Sequence, residues 1–308
     1  VKVKRITLKQ WAVGFAMTSL LTGCTTNDTE PAQGSFDTPN VPVRAASDIQ
    51  GELTYQDVLQ KGEHIHFVKP SPDGSRLWLG THVGLYGTAS QKLWAETPED
   101  LALDDIRGAF FDPEETEHVY VTGQGVAKRS RDGGETWEPM ITGLPDQPDI
   151  LGLTGVRQKD QVNLYVYVSG MGIYQSRDGG DRWELMEELQ QLNQEVYAID
   201  YNAYEERLYV LTQNGLLSAQ EGKWESEVIE GVERVFSLAI DNQHNKMYLS
   251  TDQGIMVKEE DSDWEMLSQD VPERLSAISP GHSEDTLIGI GDSAIIYFYE
   301  NGEWKKWQ

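Results

Sequence analysis

The sequence predicts an all-β protein, a six-bladed β-propeller of four-stranded antiparallel blades, with seven blades disfavoured. Three observations predict it. Tryptophans recur at Trp94, Trp137, Trp183, Trp224, Trp264 and Trp304, a period in the forties that marks propellers and other repeat arrays. Each of these residues is preceded at similar distances by short β-rich runs, so each unit supplies four strands. Residues suited to strands and tight turns are plentiful, with 29 Gly, 9 Trp and 13 Tyr.

The first strands of the units are read at 64–68, 106–110, 150–154, 196–199, 235–240 and 275–278. The second strands follow at Leu77-Trp78-Leu79, Val119-Tyr120-Val121, Leu164-Tyr165-Val166, Leu208-Tyr209-Val210, Met247-Tyr248-Leu249 and Leu287-Ile288-Gly289. The third opens on a small residue followed by an apolar one, from Gly84-Leu85 in the first unit to Ala294-Ile295 in the last. The fourth carries the repeating Trp. A lone blade cannot bury both sheet faces, whereas a ring lets each blade shield its neighbours. The last unit ends in a full strand at 303–308 with no polar cap after it, which favours a closed ring over an open solenoid. Residues 51–62 are too short to build a seventh blade.

The segment before the repeats reads as an export signal. Residues 1–9 carry Lys2, Lys4, Arg5 and Lys9 and no acid, and residues 11–21 form an apolar run of signal-peptide length, too short to span a bilayer. The string Leu21-Thr22-Gly23-Cys24 resembles the bacterial lipobox, which implies a signal peptide at 1–23 and a mature chain beginning at a diacylated Cys24. Cys24 is the sole cysteine, so no intrachain disulfide is possible. Residues 24–50, rich in Thr, Pro, Ser, Asn and Asp, lack the apolar surface needed to fold. They read as a tether with an end-to-end distance of roughly 28 Å. The expected organisation is therefore signal peptide, lipidated tether, and a single propeller domain at 51–308 on the extracytoplasmic face of the membrane. Its membrane partner is the N-terminal diacylglyceryl anchor, since two acyl chains anchor stably.

The formal charge of −26 disfavours nucleic acid, whose phosphates such a surface repels. It attracts cations or a basic partner, and it also serves solubility.

Two units carry the same string before their Trp. They read Ser130-Arg131-Asp132-Gly133-Gly134-Glu135-Thr136-Trp137 and Ser176-Arg177-Asp178-Gly179-Gly180-Asp181-Arg182-Trp183. Both are similar to the Asp-box, Ser-x-Asp-x-Gly-x-x-Trp. Its Asp accepts turn N–H groups, its Gly adopts positive φ and its Trp buries beside the hairpin, so Ser130, Asp132, Gly134, Trp137, Ser176, Asp178, Gly180 and Trp183 are structural rather than catalytic. The repeat period, the two Asp-boxes and the lipobox together resemble the bacterial BNR-repeat lipoproteins of the sialidase/sortilin-like superfamily, over about 245 residues. That resemblance implies the fold. It leaves activity open, because the superfamily contains glycosyl hydrolases, receptors and photosystem-assembly factors. A sialidase also requires three arginines, a Tyr-Glu pair and an Asp acid. Here Asp105-Ile106-Arg107-Gly108 departs from the Arg-Ile-Pro pattern of the first arginine, although Arg107, Arg234 and Arg274 all lie at or near the starts of innermost strands.

The one chemically distinctive cluster is in the first unit. His64-Ile65-His66 and, one strand later, His82 place three of the six histidines within nineteen residues. Residues i and i+2 of a strand share a face, and the antiparallel return brings His82 back beside them, so the three imidazoles converge at one rim. Such a set suits Zn or Cu, with Asp104 and Asp105 as further carboxylate ligands. The bland alternative is a polar rim. Asp112, Asp200 and Asp241, near the ends of innermost strands, read as loop caps. Three functional readings follow: a binding or scaffold module for a protein, glycan or metal ligand; an extracellular glycoside hydrolase; and a metal-handling or envelope-assembly protein using His64, His66 and His82.

Overall fold

The computed structural model describes residues 53–308 apart from 89–92, 99, 190–191, 221, 261 and 308. The signal peptide, Cys24 and the tether expected from the sequence lie outside the described residues. No described helix is long and apolar enough to cross a membrane.

Six four-stranded antiparallel sheets follow one another along the chain, each made of consecutive strands in simple up-and-down order. Blade 1 comprises Ile65–Pro70, Leu77–Thr81, Leu85–Thr88 and Trp94–Glu96. The innermost strands of blades 2 to 6 are Ile106–Phe111, Ile150–Gln158, Val196–Asn202, Val235–Asp241 and Leu275–Pro280. These six strands surround a central channel of about 840 Å3. The apolar core is not one mass but six clusters, each filled from two neighbouring blades. This is the packing by which a repeat that cannot hide its own faces becomes stable.

The ring closes without strand exchange. Blade 1 packs on blade 6, where Val68, Leu77 and Tyr86 share a cluster with Ile288, Ile290 and Ile296, and the Ser279 hydroxyl donates to the Val68 carbonyl at 2.6 Å. Residues 55–62, expected only to be too short for a blade, form a helix, Tyr55–Gly62, that fills this seam. Thr54 and Asp57 form its capping box, and its buried residues Tyr55, Val58 and Gly62 fall on one face. An eight-residue helix is marginal alone, so burial holds it. The Tyr55 hydroxyl donates to the Ala294 carbonyl of blade 6 at 2.7 Å, while Leu53 exchanges two backbone hydrogen bonds with Trp94 of blade 1.

The two Ser-x-Asp-x-Gly-x-x-Trp strings close the turns between third and fourth strands of blades 2 and 3. Asp132 accepts the Glu135 and Thr136 backbone N–H groups at 3.1 and 2.9 Å and the Ser130 and Thr136 hydroxyls at 2.7 and 2.6 Å. Asp178 accepts the Ser176 hydroxyl and the Arg182 N–H, at 2.7 and 3.0 Å. The Trp183 indole is buried between blades 2 and 3 and donates to the Met140 carbonyl at 2.8 Å. In blade 6 the Asn301-Gly302 turn has φ of 54° and 82°, the pair of positive values a tight hairpin turn requires.

Of the three aspartates read as loop caps, Asp112 and Asp241 accept backbone N–H groups in the hairpin that follows. Asp200 does not. In blade 4 that task falls to Asn202, which accepts the Tyr204 and Glu205 N–H groups at 3.0 Å. Asp200, two residues earlier, turns into the channel, where it accepts from the Thr154 hydroxyl and the backbone N–H groups of Tyr201 and Ile240, tying blades 3, 4 and 5 together. Burial raises its pKa, opposed by the positive charge of Lys69 across the channel. Lys69 donates to the Ala109 carbonyl at 2.9 Å, linking blades 1 and 2, and burial lowers its pKa.

Candidate functional site at the channel mouth

The geometry of the mouth begins with a backbone irregularity repeated six times. In every blade the pairing of the first two strands slips by one residue near the start of the innermost strand. The residues left opposite no partner are His66, Arg107, Leu151, Tyr197, Phe236 and Ser276. A β-bulge bends its strand and re-aims a side chain. All six re-aimed residues line the channel, so the six blades present a ring of six chemically different groups at one end of it.

One arc of this ring is polar and tightly wired. His66 Nε2 lies 2.8 Å from Asp105 Oδ1, and His82 Nδ1 lies 3.4 Å from the same oxygen. The other carboxylate oxygen of Asp105 accepts from Arg107 Nε and Nη2, both at 2.8 Å. Arg107 in turn donates to Asp149 at 2.7 Å. The rings of His64, His66 and His82 have centroids 4.6–5.6 Å apart, so the three imidazoles do converge. The atoms that meet, however, are those of His66, His82 and Asp105, all within 4.8 Å of one another, while His64 is exposed and not part of that group. Asp104 is not part of the cluster; it pairs with Lys128 at 2.7 Å. Burial pushes the His66 imidazole down to about 4, against the opposing pull of Asp105, so the ring is neutral near pH 7.

Local backbone features place these groups. Glu63 ends the seam helix with φ of 62° and turns the chain into the first strand of blade 1, bringing His64 and His66 to the mouth. The second strands of blades 1 and 2 offer glycine where the neighbouring chain passes closest. A Cβ on Gly123 would lie 1.7 Å from the Asp105 carbonyl oxygen, and one on Gly80 would lie 2.6 Å from the Ile106 carbonyl oxygen. Only the absence of side chains there lets the segment 105–106 sit beside His66.

The opposite arc is apolar and cationic. Tyr197 is 52% exposed. Phe236 is flanked by Arg234 and Arg274, whose guanidinium carbons lie 5.6 and 5.3 Å from its ring centroid, a cation–π arrangement. Arg274 is paired with Asp292 at 2.7 Å. Arg107 is held by two carboxylates and the other arginines stack on a ring, so the three do not form a clamp of free guanidiniums. Other exposed apolar side chains belong to the same end. Leu103 and Val228, each 87% exposed, and Ile141 lie in the connections leading into the innermost strands of blades 2, 5 and 3.

Leu151, Tyr197, Phe236 and Ser276 were not singled out by sequence reasoning. The available signal is the alignment of the units. Each innermost strand starts on an aliphatic residue (Ile65, Ile106, Ile150, Val196, Val235 or Leu275), and the next position is chemically unconstrained. A position that varies inside a regular repeat marks a surface the fold does not need.

No family model matches the sequence, and no curated protein matches it. Solved structures do. One chain of a nidogen–laminin complex aligns with a TM-score of 0.57 at 12% identity, covering 74% of this chain and 91% of its own length. The GH74 xyloglucanase of Xanthomonas campestris aligns with a TM-score of 0.55 at 15% identity over 79% of this chain and 45% of its own. An extracellular domain from B. thetaiotaomicron aligns with a TM-score of 0.53 at 15% identity, over 79% of this chain and 33% of its own. The chain thus spans less than half the length of the latter two. At such identities the likeness establishes the architecture alone: this chain is a six-bladed β-propeller.

Proposed function

We propose that the chain is a membrane-anchored, extracytoplasmic binding module of the BNR-repeat lipoprotein kind, and that its ligand is a protein seated on the channel mouth. The carrying observation is the bulge common to all six innermost strands, which turns His66, Arg107, Leu151, Tyr197, Phe236 and Ser276 toward one opening. The exposed Tyr197, Leu103, Ile141 and Val228 supply the apolar contacts of a protein interface, and the arginines around Phe236 supply its charged rim. The leader-like segment 1–23 and the lipobox-like string that places Cys24 after it support the anchor and the compartment. A glycosidase reading draws less support. Of the described acids lining the channel, Glu114, Asp200 and Asp241, the two aspartates are engaged in several hydrogen bonds, which leaves one carboxyl group where a hydrolase needs a pair free to exchange protons.

Face-resolved photocrosslinking in cells displaying the full chain tests this. A photoreactive residue replaces Tyr197 at the mouth or Val228 in a connection on the same face, or Tyr204 in the hairpin at the other end of blade 4. Discrete protein adducts from the first two positions and none from the third are expected. Equal yields at both ends, or no adduct from the mouth, overturn the reading. Binding of a soluble glycan that Tyr197→Ala abolishes overturns the assignment to a protein.

A further inference from the structure

We infer that His66, His82 and Asp105 form a binding site for a Zn2+ ion at the channel mouth, three protein ligands with one coordination position left open. This inference stands apart from the protein-binding reading and survives its failure.

The geometry comes first. A tetrahedral zinc ion with bonds of about 2.0–2.1 Å separates its ligand atoms by about 3.3 Å. His66 Nε2 and His82 Nδ1 lie 2.8 and 3.4 Å from Asp105 Oδ1 and within 4.8 Å of each other, a triangle that small side-chain shifts bring to the required spacing. Both ring nitrogens face the same carboxylate oxygen. Two imidazoles and a carboxylate are a donor set for Zn2+ or Cu2+, rather than for the all-oxygen shells of Mg2+ and Ca2+.

The support around the ligands is also that of a metal site. The second oxygen of Asp105 is fixed by two nitrogens of Arg107, which is itself held by Asp149. Ligating carboxylates are normally oriented by such outer partners. The ligands come from the first strand of blade 1, the turn after its second strand, and the connection into blade 2. A bulge and two close glycine contacts set their relative positions. His82 keeps 42% of its side chain exposed, which gives the ion a route in.

A second cluster in the same blades sharpens the contrast. Asp112, Glu115 and His118 also bring ligand atoms together. There, however, three donors crowd one oxygen of Asp112, and the Arg157 guanidinium that shares in that crowding also holds the other, so the carboxylate is already neutralised by a cation of the protein's own.

The test is titration of the full chain in detergent, stripped with a chelator, with Zn2+ by calorimetry and by competition with a chromogenic chelator. One ion per chain is expected. His82→Ala, His66→Ala and Asp105→Asn should each weaken binding by at least 10–100-fold, and Arg107→Ala by about 10–100-fold through loss of ligand orientation. His118→Ala should leave it unchanged. Because His82 is half exposed, His82→Ala does not threaten folding, and a thermal melt of each variant confirms that the fold persists. Absence of stoichiometric binding overturns the proposal, and so does binding that survives His82→Ala or depends on His118. As an independent readout, Co2+ in place of Zn2+ should give an intense visible absorption typical of four-coordination in the wild type and none in His82→Ala.

Discussion

Removing the Tyr55 side chain should open the ring at the seam between its first and last blades. Propellers that exchange a strand close by backbone hydrogen bonds between the two ends of the chain within one blade; here every blade is one continuous segment, and the seam rests on side chains and the helix Tyr55–Gly62. Tyr55 is 7% exposed and donates its hydroxyl to Ala294 of blade 6 at 2.7 Å. Tyr55→Phe removes that hydrogen bond alone, worth about 1 kcal/mol. Tyr55→Ala also removes the buried ring, a loss of about 3–5 kcal/mol for a buried aromatic. For a domain of this size 1 kcal/mol moves the midpoint by about 2–4 °C. Tyr55→Phe should therefore lower Tm by about 3 °C and Tyr55→Ala by on the order of 10 °C, read by far-ultraviolet circular dichroism. The melt of Tyr55→Ala should also broaden, because an opened array loses the mutual support of its ends. A Tyr55→Ala protein melting within 2 °C of the wild type would refute the argument and show that the blades hold together without the helix.

Other perturbations give distinct signatures. Asp112 is wholly buried against Arg157, so Asp112→Ala strands a buried guanidinium and should cost about 3–5 kcal/mol in denaturant unfolding. Burial alone would raise the Asp112 carboxyl, but the hydrogen bonds from Arg157 and from the backbone of Glu114 and Glu115 outweigh it and hold the group below its ordinary value. Its stabilising effect is therefore complete above about pH 4, the unfolded value, and is lost as pH falls through the folded value. Asp112→Asn should flatten that part of the stability-against-pH curve, and an unchanged acid slope contradicts the assignment. Asp132→Ala should destabilise by about 1–2 kcal/mol and Asp178→Ala by less, since Asp178 collects fewer bonds. Neither should alter Zn2+ affinity, and a metal-binding defect in either would show that these turns act on the mouth.

The fold was largely legible because it is repeated. Six copies of one pattern average out local ambiguity, and Trp94 through Trp304 mark the units whatever each turn does. The seam helix was not legible as a helix, since Thr54–Gly62 is short and its amphipathic face gains its meaning only against blades 1 and 6. Asp200 was misplaced for a related reason. Strand ends were read from turn residues, and Asn202, two positions later, does the capping. At the site, the convergence of His64, His66 and His82 followed from strand alternation and antiparallel return. Asp104 and Asp105 were both read as further carboxylates; that Asp105 alone joins the group, and that His64 drops out of it, did not follow, because the bulge at His66 and the close passage of blade 2 have no local sequence signature.

By itself the sequence determined the repeat, the blade order, the turn chemistry of Asp132 and Asp178 and the region where imidazoles gather, because each depends on residues within one blade. Only the tertiary structure decided how the ring closes, which side chains face the channel and which atoms share Asp105. Those outcomes arise where neighbouring blades press together, and no single blade encodes the distance to the next.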